Sequence, residues 1–208
     1  MKININTKRF IYLISPNKIH SKNSFYFELE KLLKSKKIYF FQLRLKNYNE
    51  KQIIQIGKKV KLICKKYKTK LIINDNPLIA KKLNADGYHL GQKDMRLIKS
   101  KKIIRNKIFG ITCHNSKKLV KKAINLKPTY IAIGAFFKSS TKKVKYKANI
   151  NLLKYVKELT KIPVVTIGGI NDKNYKNLLL NNANFLAISG YIWNNKKYKP
   201  KEAIEKLI

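Results

Sequence analysis

The chain has 208 residues, enough to bury one sizeable core and too few for a second domain of comparable size. Its formal net charge of +38 would ordinarily point to nucleic acid, because clustered Lys and Arg neutralise phosphates and release counterions. The charge is spread instead, with lysine in nearly every helix-like segment and arginine only at Arg9, Arg44, Arg96 and Arg105. Base-reading interfaces favour arginine's bidentate fork, so the excess reads as solvated helix faces and not as a specific nucleic-acid reader, with nonspecific nucleic-acid binding the alternative.

The first apolar run, residues 10–14, follows a basic stretch, but it is too short for a signal-peptide core and Pro16 interrupts it. The second, residues 38–43, leads into Gln42-Leu43-Arg44-Leu45-Lys46. Gln42, Arg44 and Lys46 alternate, so on a strand they share one face and can bind one anion. The competing reading is an outward, solvated strand end. Residues 50–67 then place Ile53, Ile54, Ile56, Val60 and Ile63 largely on one helical face. Cys64 falls in that pattern and Cys113 is the other cysteine, so neither a disulfide framework nor a CxxC metal site is available, and a reducing cytoplasm fits.

The third run, residues 70–73, closes in Asn74-Asp75, and the fourth, residues 87–90, carries His89 and leads to Asp94. Only ten residues are acidic, and two of them follow strand ends. Hard cations such as Mg²⁺ take one or two carboxylates plus substrate phosphates and water, which suits Asp75 and Asp94; the alternative role for each is helix N-capping. Residues 94–106 read as a short helix. The fifth run, residues 107–111, ends at Thr112, Cys113 and His114. Neighbours on a strand point to opposite sides, so Cys113 and His114 are poorly placed for a thiol–imidazole dyad. His89 reads as a hydrogen-bonded interior residue.

Residues 116–126 form the next helical pattern, with Leu119, Val120, Ala123 and Ile124 on one face. The sixth run, residues 130–133, passes through Gly134 to Ser139-Ser140-Thr141-Lys142-Lys143, a loop of hydroxyls and cations that could wrap a diphosphate. The seventh, residues 164–167, ends in Gly168-Gly169 and the eighth, residues 185–188, in Ser189-Gly190. Both pairs suit either a phosphate loop or a tight turn. Residues 172–180 and 201–207 supply the last two helices. No run approaches the ~18 apolar residues of a membrane span, so the expectation is a soluble protein.

Short Ile/Val/Tyr/Phe runs alternating with helical segments are the sequence form of repeated βαβ units. Eight of them without a G-x-G-x-x-G predict a (β/α)₈ TIM barrel, one domain over residues 1–208, with an open doubly wound sheet as the competing architecture. In a barrel the carboxyl ends of all strands share one face, so the polar residues that close seven of these eight runs would meet at one mouth. That is the pattern of an enzyme.

The ordered set QLRLK, IINDN-PLIA, GYHLGQKDM, GITCHN, YIAIGAFFKSSTKK, IPVVTIGGI and AISGY resembles the thiamine phosphate synthase family. The resemblance implies a barrel that joins 4-amino-5-hydroxymethyl-2-methylpyrimidine diphosphate to 4-methyl-5-(2-phosphooxyethyl)thiazole with Mg²⁺, giving thiamine phosphate and diphosphate. By position it implies diphosphate contacts from Gln42, Arg44, Lys46, Asn74 and Lys142, with Arg44, Lys46 and Lys142 stabilising the leaving group. It also implies Mg²⁺ ligation by Asp75 and Asp94, and a pyrimidine contact from Thr112. Ser139 and Thr141 correspond to a thiazole site, and Gly169, Ile188 and Ser189, beside Gly168, to a phosphate pocket. Leu45, Asn76, Ala135 and Asn149 depart from the family's usual glutamate, arginine, proline and glycine. The related thiazole tautomerases share the barrel, but Asp75, Asp94, Arg44 and Lys46 together favour diphosphate chemistry. The partners implied are small phosphorylated molecules, with no membrane and no specific nucleic acid; the sequence specifies no oligomeric state.

Overall fold

The computed structural model describes residues 9–94, 106–138 and 147–207. Eight parallel strands, each hydrogen-bonded to the next, close into a barrel when the first pairs with the last. They are β1 (Ile11–Ile14), β2 (Ile38–Leu43), β3 (Lys70–Asn74), β4 (Gly87–Leu90), β5 (Ile108–His114), β6 (Tyr130–Gly134), β7 (Val164–Ile167) and β8 (Phe185–Ile188). Closure leaves no open edge and decides against the doubly wound sheet. The predicted strands agree to within a residue at most ends. β5 departs most, continuing through Thr112 to His114 where a bulge against β6 shifts the register.

The helices are α1 (Lys22–Lys34), α2 (Glu50–Lys66), α3 (Pro77–Lys82), α4 (Lys117–Asn125), α5 (Ile150–Leu159), α6 (Tyr175–Leu180), α7 (Gly190–Trp193) and α8 (Pro200–Glu205). α2 begins with a capping box between Asn49 and Gln52, has Glu50 in its first turn, and ends on Lys65 and Lys66, as the helix dipole favours. Its buried face is Ile56, Val60, Ile63 and Cys64. Ser116 caps α4 rather than joining it, because its Oγ accepts the Leu119 N–H. α6 starts at Tyr175, three residues beyond its expected start at Asp172. α1 and α5, not singled out from sequence, carry the same period in Phe25, Leu29, Leu32 and Leu33 and in Leu152, Leu153 and Val156. Of the short helix expected over residues 94–106, residues 95–105 lie outside the described residues.

Alternation along the strands sorts the core into two layers. Ile11, Leu13, Phe41, Leu43, Leu71, Ile73, Ile131 and Ile133 face the helices. Tyr12, Ile14, Phe40, Ile72, Ile108, Tyr130, Val165 and Phe185 fill the lumen. Phe40 sits at its centre, with ring centroids 5.1 Å from Tyr12, 5.5 Å from Tyr130 and 5.0 Å from Phe185. Gly110 lets Tyr130 cross the lumen, since a Cβ there would lie 2.0 Å from its ring. A closed aromatic floor of this kind collapses poorly around a void. Phe40→Ala is therefore expected to cost about 3–5 kcal/mol, read in urea as a lowered midpoint at unchanged slope.

Candidate active site

The inward parity of each strand continues past its last ladder bond into one cavity of about 910 Å³ at the carboxyl face. From β2, the sequence Phe40, Gln42, Arg44, Lys46 runs from lumen to rim, so the alternation read from the sequence does place the three polar residues on one side. Asn74 and Asp75 enter from β3, Asp94 from the turn after β4, and Thr112 from β5. Gly168 and Gly169 line the cavity after β7, with Ile188 and Ser189 at the end of β8. Ser139, Thr141 and Lys142 lie outside the described residues.

Each position has a local cause. Arg44 is half-buried; its NH1 donates to Asn17 Oδ1 at 2.9 Å and its backbone N–H to Ser15 Oγ at 2.9 Å. Burial lowers the guanidinium from its ordinary value while Asp75 opposes the shift, and it stays charged at any working pH. Ser15 Oγ returns a hydrogen bond to Arg44 O at 3.2 Å, and Ser189 Oγ donates to Ser15 O at 3.2 Å. Ser15, nearly fully buried, thus ties the β2 rim to the β8 rim. Gly168 and Gly169 have φ of +106° and +63°, and Cβ atoms there would lie 2.4 Å from Ala135 Cβ and 2.1 Å from Lys138 O. Only glycine fits both the left-handed backbone and the close approach.

Asp75 takes the left-handed conformation with φ +63°, fixed by its N–H on His89 O at 2.8 Å. Strand β3 thereby ends in a sharp turn that aims the carboxylate inward. The Asp75 and Asp94 carboxyls are within hydrogen-bonding contact, and Lys46 Nζ stands 3.5 Å from Asp75 Oδ2. Burial is the first cause raising the Asp75 pKa, and Asp94 adds to it against the opposing Lys46 charge. Two facing oxygen donors, one partly desolvated and held anionic at a cost, are chemically suited to a hard divalent cation completed by substrate oxygens. Asp75 is not the N-cap of the helix that follows it: Asn76 caps α3, accepting from Leu78 N at 2.9 Å and Ile79 N at 3.1 Å. Among the described residues no group of three His, Cys, Asp or Glu converges, so a divalent cation held by this pair would complete its shell with oxygens from outside the protein.

Below the rim lies a polar network that the sequence did not announce. Gln42 Nε2 donates to Tyr12 Oη at 2.8 Å, Tyr12 and Tyr130 hydroxyls meet at 2.7 Å, and His89 Nδ1 lies 2.9 Å from Tyr130 Oη. His89 Nε2 lies 2.7 Å from Thr112 Oγ1. Burial holds the imidazole down at about 4, so it is neutral at ordinary pH and unsuited to general acid work. Cys113, buried on the opposite face with its Sγ on Leu119 O, has its thiol pushed up to about 12 by burial. Cys113 lies in the helix-facing core while His114 lines the cavity, as the strand parity predicted.

Comparison with known proteins follows the same lines. The family model described as thiamine monophosphate synthase matches residues 11–192. A relative from Pelagibacter ubique (strain HTCC1062), named thiamine-phosphate synthase, is 63% identical over 207 residues, covering 100% of both chains. One of the same name from Clostridium acetobutylicum is 33% identical over 93% of this chain and 92% of its own. Among solved structures, a thiamine phosphate pyrophosphorylase from Pyrococcus furiosus superposes with a TM-score of 0.85 at 24% identity, covering 98% of this chain and 96% of that one. Among the described residues, no helix is long and apolar enough to cross a membrane.

The raised Asp75 pKa makes a stability statement. The native protein holds this proton more tightly than the unfolded chain, so stability falls as pH rises through the carboxylate range and the loss is complete above the native pKa. The Lys46 contact is solvent-exposed and offsets little. Asn accepts the left-handed backbone as readily as Asp. Asp75→Asn is therefore expected to be more stable than the parent at neutral pH and equal to it below the ordinary carboxylate range, measured by urea unfolding at several pH values. A neutral-pH loss of stability would show that the Lys46 pair dominates.

Proposed function

The chain belongs to the thiamine monophosphate synthase family, and from that premise we propose that its cavity joins 4-amino-5-hydroxymethyl-2-methylpyrimidine diphosphate to 4-methyl-5-(2-phosphooxyethyl)thiazole. The observation that carries the reading is the meeting of Arg44, Lys46, Asp75 and Asp94 at one rim, because that set suits a diphosphate leaving group and its counter-cation. A phosphate-only site would need no paired carboxylates.

In this reading the C–O bond between the pyrimidine methylene and the diphosphate breaks first, with the electron pair leaving on oxygen. The thiazole nitrogen lone pair then forms the new C–N bond. No side-chain nucleophile and no strong base is required, which agrees with a neutral, deeply buried His89 and an inert Cys113. Arg44 and Lys46 bind the diphosphate oxygens, and Asn17 holds the guanidinium in place from its outer side. Gln42 and Thr112 face the pyrimidine half, while Asn74 lies between it and the charged end. Gly168, Gly169, Ile188 and Ser189 shape the pocket for the thiazole phosphate. Ser139, Thr141 and Lys142 would complete the enclosure from the segment after β6.

Asp75 and Asp94 are the residues that would hold Mg²⁺, whose contribution when bound is to neutralise charge on the departing diphosphate. The walls around it lower the local dielectric, which strengthens every charge–charge contact made as the bond breaks.

Purified protein given both substrates and Mg²⁺ is expected to release diphosphate and form thiamine phosphate in equal amounts, and chelation is expected to stop both. Absence of product with metal present would overturn the reading. Arg44→Ala removes a charge-assisted contact to the leaving group and is expected to lower kcat/KM by about 100-fold, on the order of 3 kcal/mol of transition-state stabilisation. An unchanged kcat/KM would reject that role.

A further inference from the structure

Two turns that leave the barrel side by side are fastened together at the mouth. The chain leaving β1 runs Ser15-Pro16-Asn17, and the chain leaving β2 carries Arg44, Lys46 and Tyr48. Ser15 N–H donates to Gln42 O at 2.9 Å, and Ser15 Oγ accepts the Arg44 N–H at 2.9 Å. Further along, Tyr48 Oη accepts the Ile19 N–H at 2.9 Å. Between these anchors Pro16 fixes its own φ. Asn17, exposed and on the cavity wall, is therefore held on both flanks by the segment that carries Arg44. Its Oδ1 accepts from Arg44 NH1 at 2.9 Å.

That acceptor is neutral. Every ion pair among the described residues is made by a lysine, and Arg44 makes none. Carboxylates are nevertheless at hand, since Asp75 and Asp94 line the same cavity and Lys46 Nζ stands 3.5 Å from Asp75 Oδ2. A guanidinium only donates, so the Asn17 amide must turn its oxygen toward it. Among the described residues the Arg44 side chain has no other protein acceptor, and none of its nitrogens is buried without a partner. The rest of the fork is open to the cavity. A carboxylate in place of the amide would orient the group equally well, but it would offset the positive charge and compete with any anion for the same hydrogens. An amide oxygen orients without offsetting.

We propose that Asn17 is a positioning residue that aims Arg44 while leaving its charge whole for a diphosphate, so that the neutrality of position 17 is itself a determinant of anion binding. The inference rests on the proposed diphosphate site for its ligand class, and it extends that site onto the turn after β1. The two rim cations are thereby unequal. Lys46 shares its charge with Asp75, whereas Arg44 is kept clear of carboxylate contact until a ligand arrives.

The test uses inorganic diphosphate as its probe, titrated calorimetrically into the whole protein in metal-depleted buffer, so that a new carboxylate has no cation to recruit. Salt at about 0.15 M screens the general positive field beyond about 8 Å, and urea unfolding checks that each variant is folded. Asn17→Ala is expected to weaken binding about tenfold, the scale of one hydrogen bond to a charged group. In an Arg44→Ala background the same change is expected to have no effect, because Asn17 acts through the guanidinium. Asn17→Asp keeps both shape and acceptor, and is expected to bind more weakly than Asn17→Ala. If Asn17→Asp instead binds as well as Asn17→Ala or better, orientation alone matters and the proposal is overturned. It is equally overturned by parent-like binding in Asn17→Ala, or by a loss that persists in the Arg44→Ala background, which would mark a merely structural turn. A parent protein that does not bind diphosphate without metal would overturn it too, since Arg44 would not then be poised. None of these outcomes depends on whether the protein forms thiamine phosphate, so failure of the proposed reaction and failure of this role are read separately.

Discussion

Closure of the sheet through β1 and β8 is the constraint from which the rest follows. A closed parallel sheet has an inside, and the strand period of two sends every second side chain into it. Near the amino-terminal half the inside is filled by rings, Tyr12, Phe40, Tyr130 and Phe185, stacked edge to face around the axis. Two of those rings carry hydroxyls, and in a space sealed from water they are forced to pair with each other and with Gln42 and His89. One more step along the same inward rows brings the chain to the rim, where polar and charged side chains line the cavity. Floor and mouth are successive layers of one geometry.

At the rim the strands must also stop. Asp75 and His114 adopt left-handed backbones where β3 and β5 end, and Gly168 and Gly169 do so after β7. Such conformations persist where the surroundings over-determine them, and they cluster where a side chain or backbone must be aimed. The turn at Asp75 separates two jobs that one residue could not do together. Asp75 faces the cavity while Asn76 turns to cap α3. The departures from the family pattern fall on the supporting side of this division. Asn149 caps α5, accepting from Leu152 N at 3.0 Å, and Leu45, 4% exposed, points away from the cavity into the strand–helix core. Ala135 touches the Gly168 turn and accepts from Ala148 N at 2.7 Å. Arg44, Lys46, Asp75 and Asp94 are not among the departures.

The strands were legible because each is a short apolar run ended by a polar residue, and parity alone puts Gln42, Arg44 and Lys46 on one side. α2 and α4 were legible from their period. The network from Gln42 to Thr112 was not, because its partners are 118 residues apart for Tyr12 and Tyr130 and 41 for His89 and Tyr130. Nothing local marks a tyrosine as one half of a pair when its neighbours in sequence are ordinary strand residues. Ser15 and Asn17 were hidden for a similar reason: a Ser-Pro-Asn stretch reads as a turn, and its grip on Arg44 exists only once β1 and β2 lie side by side. Asp94 could be placed near a strand end, but its meeting with Asp75 is a product of the β3–β4 pairing.

The charge balance of the mouth completes the argument. The molecule carries 48 cationic residues against 10 acidic ones, so its field attracts phosphorylated ligands from every side until salt screens it beyond about 8 Å. Attraction is therefore not the scarce property, and a cavity lined by Arg44, Lys46, Lys93 and Lys138 alone would hold any polyanion, product diphosphate included. Among the described residues the cavity has only two acidic side chains, Asp75 and Asp94, and they face each other. Their proximity costs stability in the free protein, a cost that Lys46 beside Asp75 offsets in part. Negative charge placed between the cations means that tight retention of any polyanion is no longer an automatic consequence of positive charge. In a chain this basic, the specificity of the rim resides in where negative charge was kept.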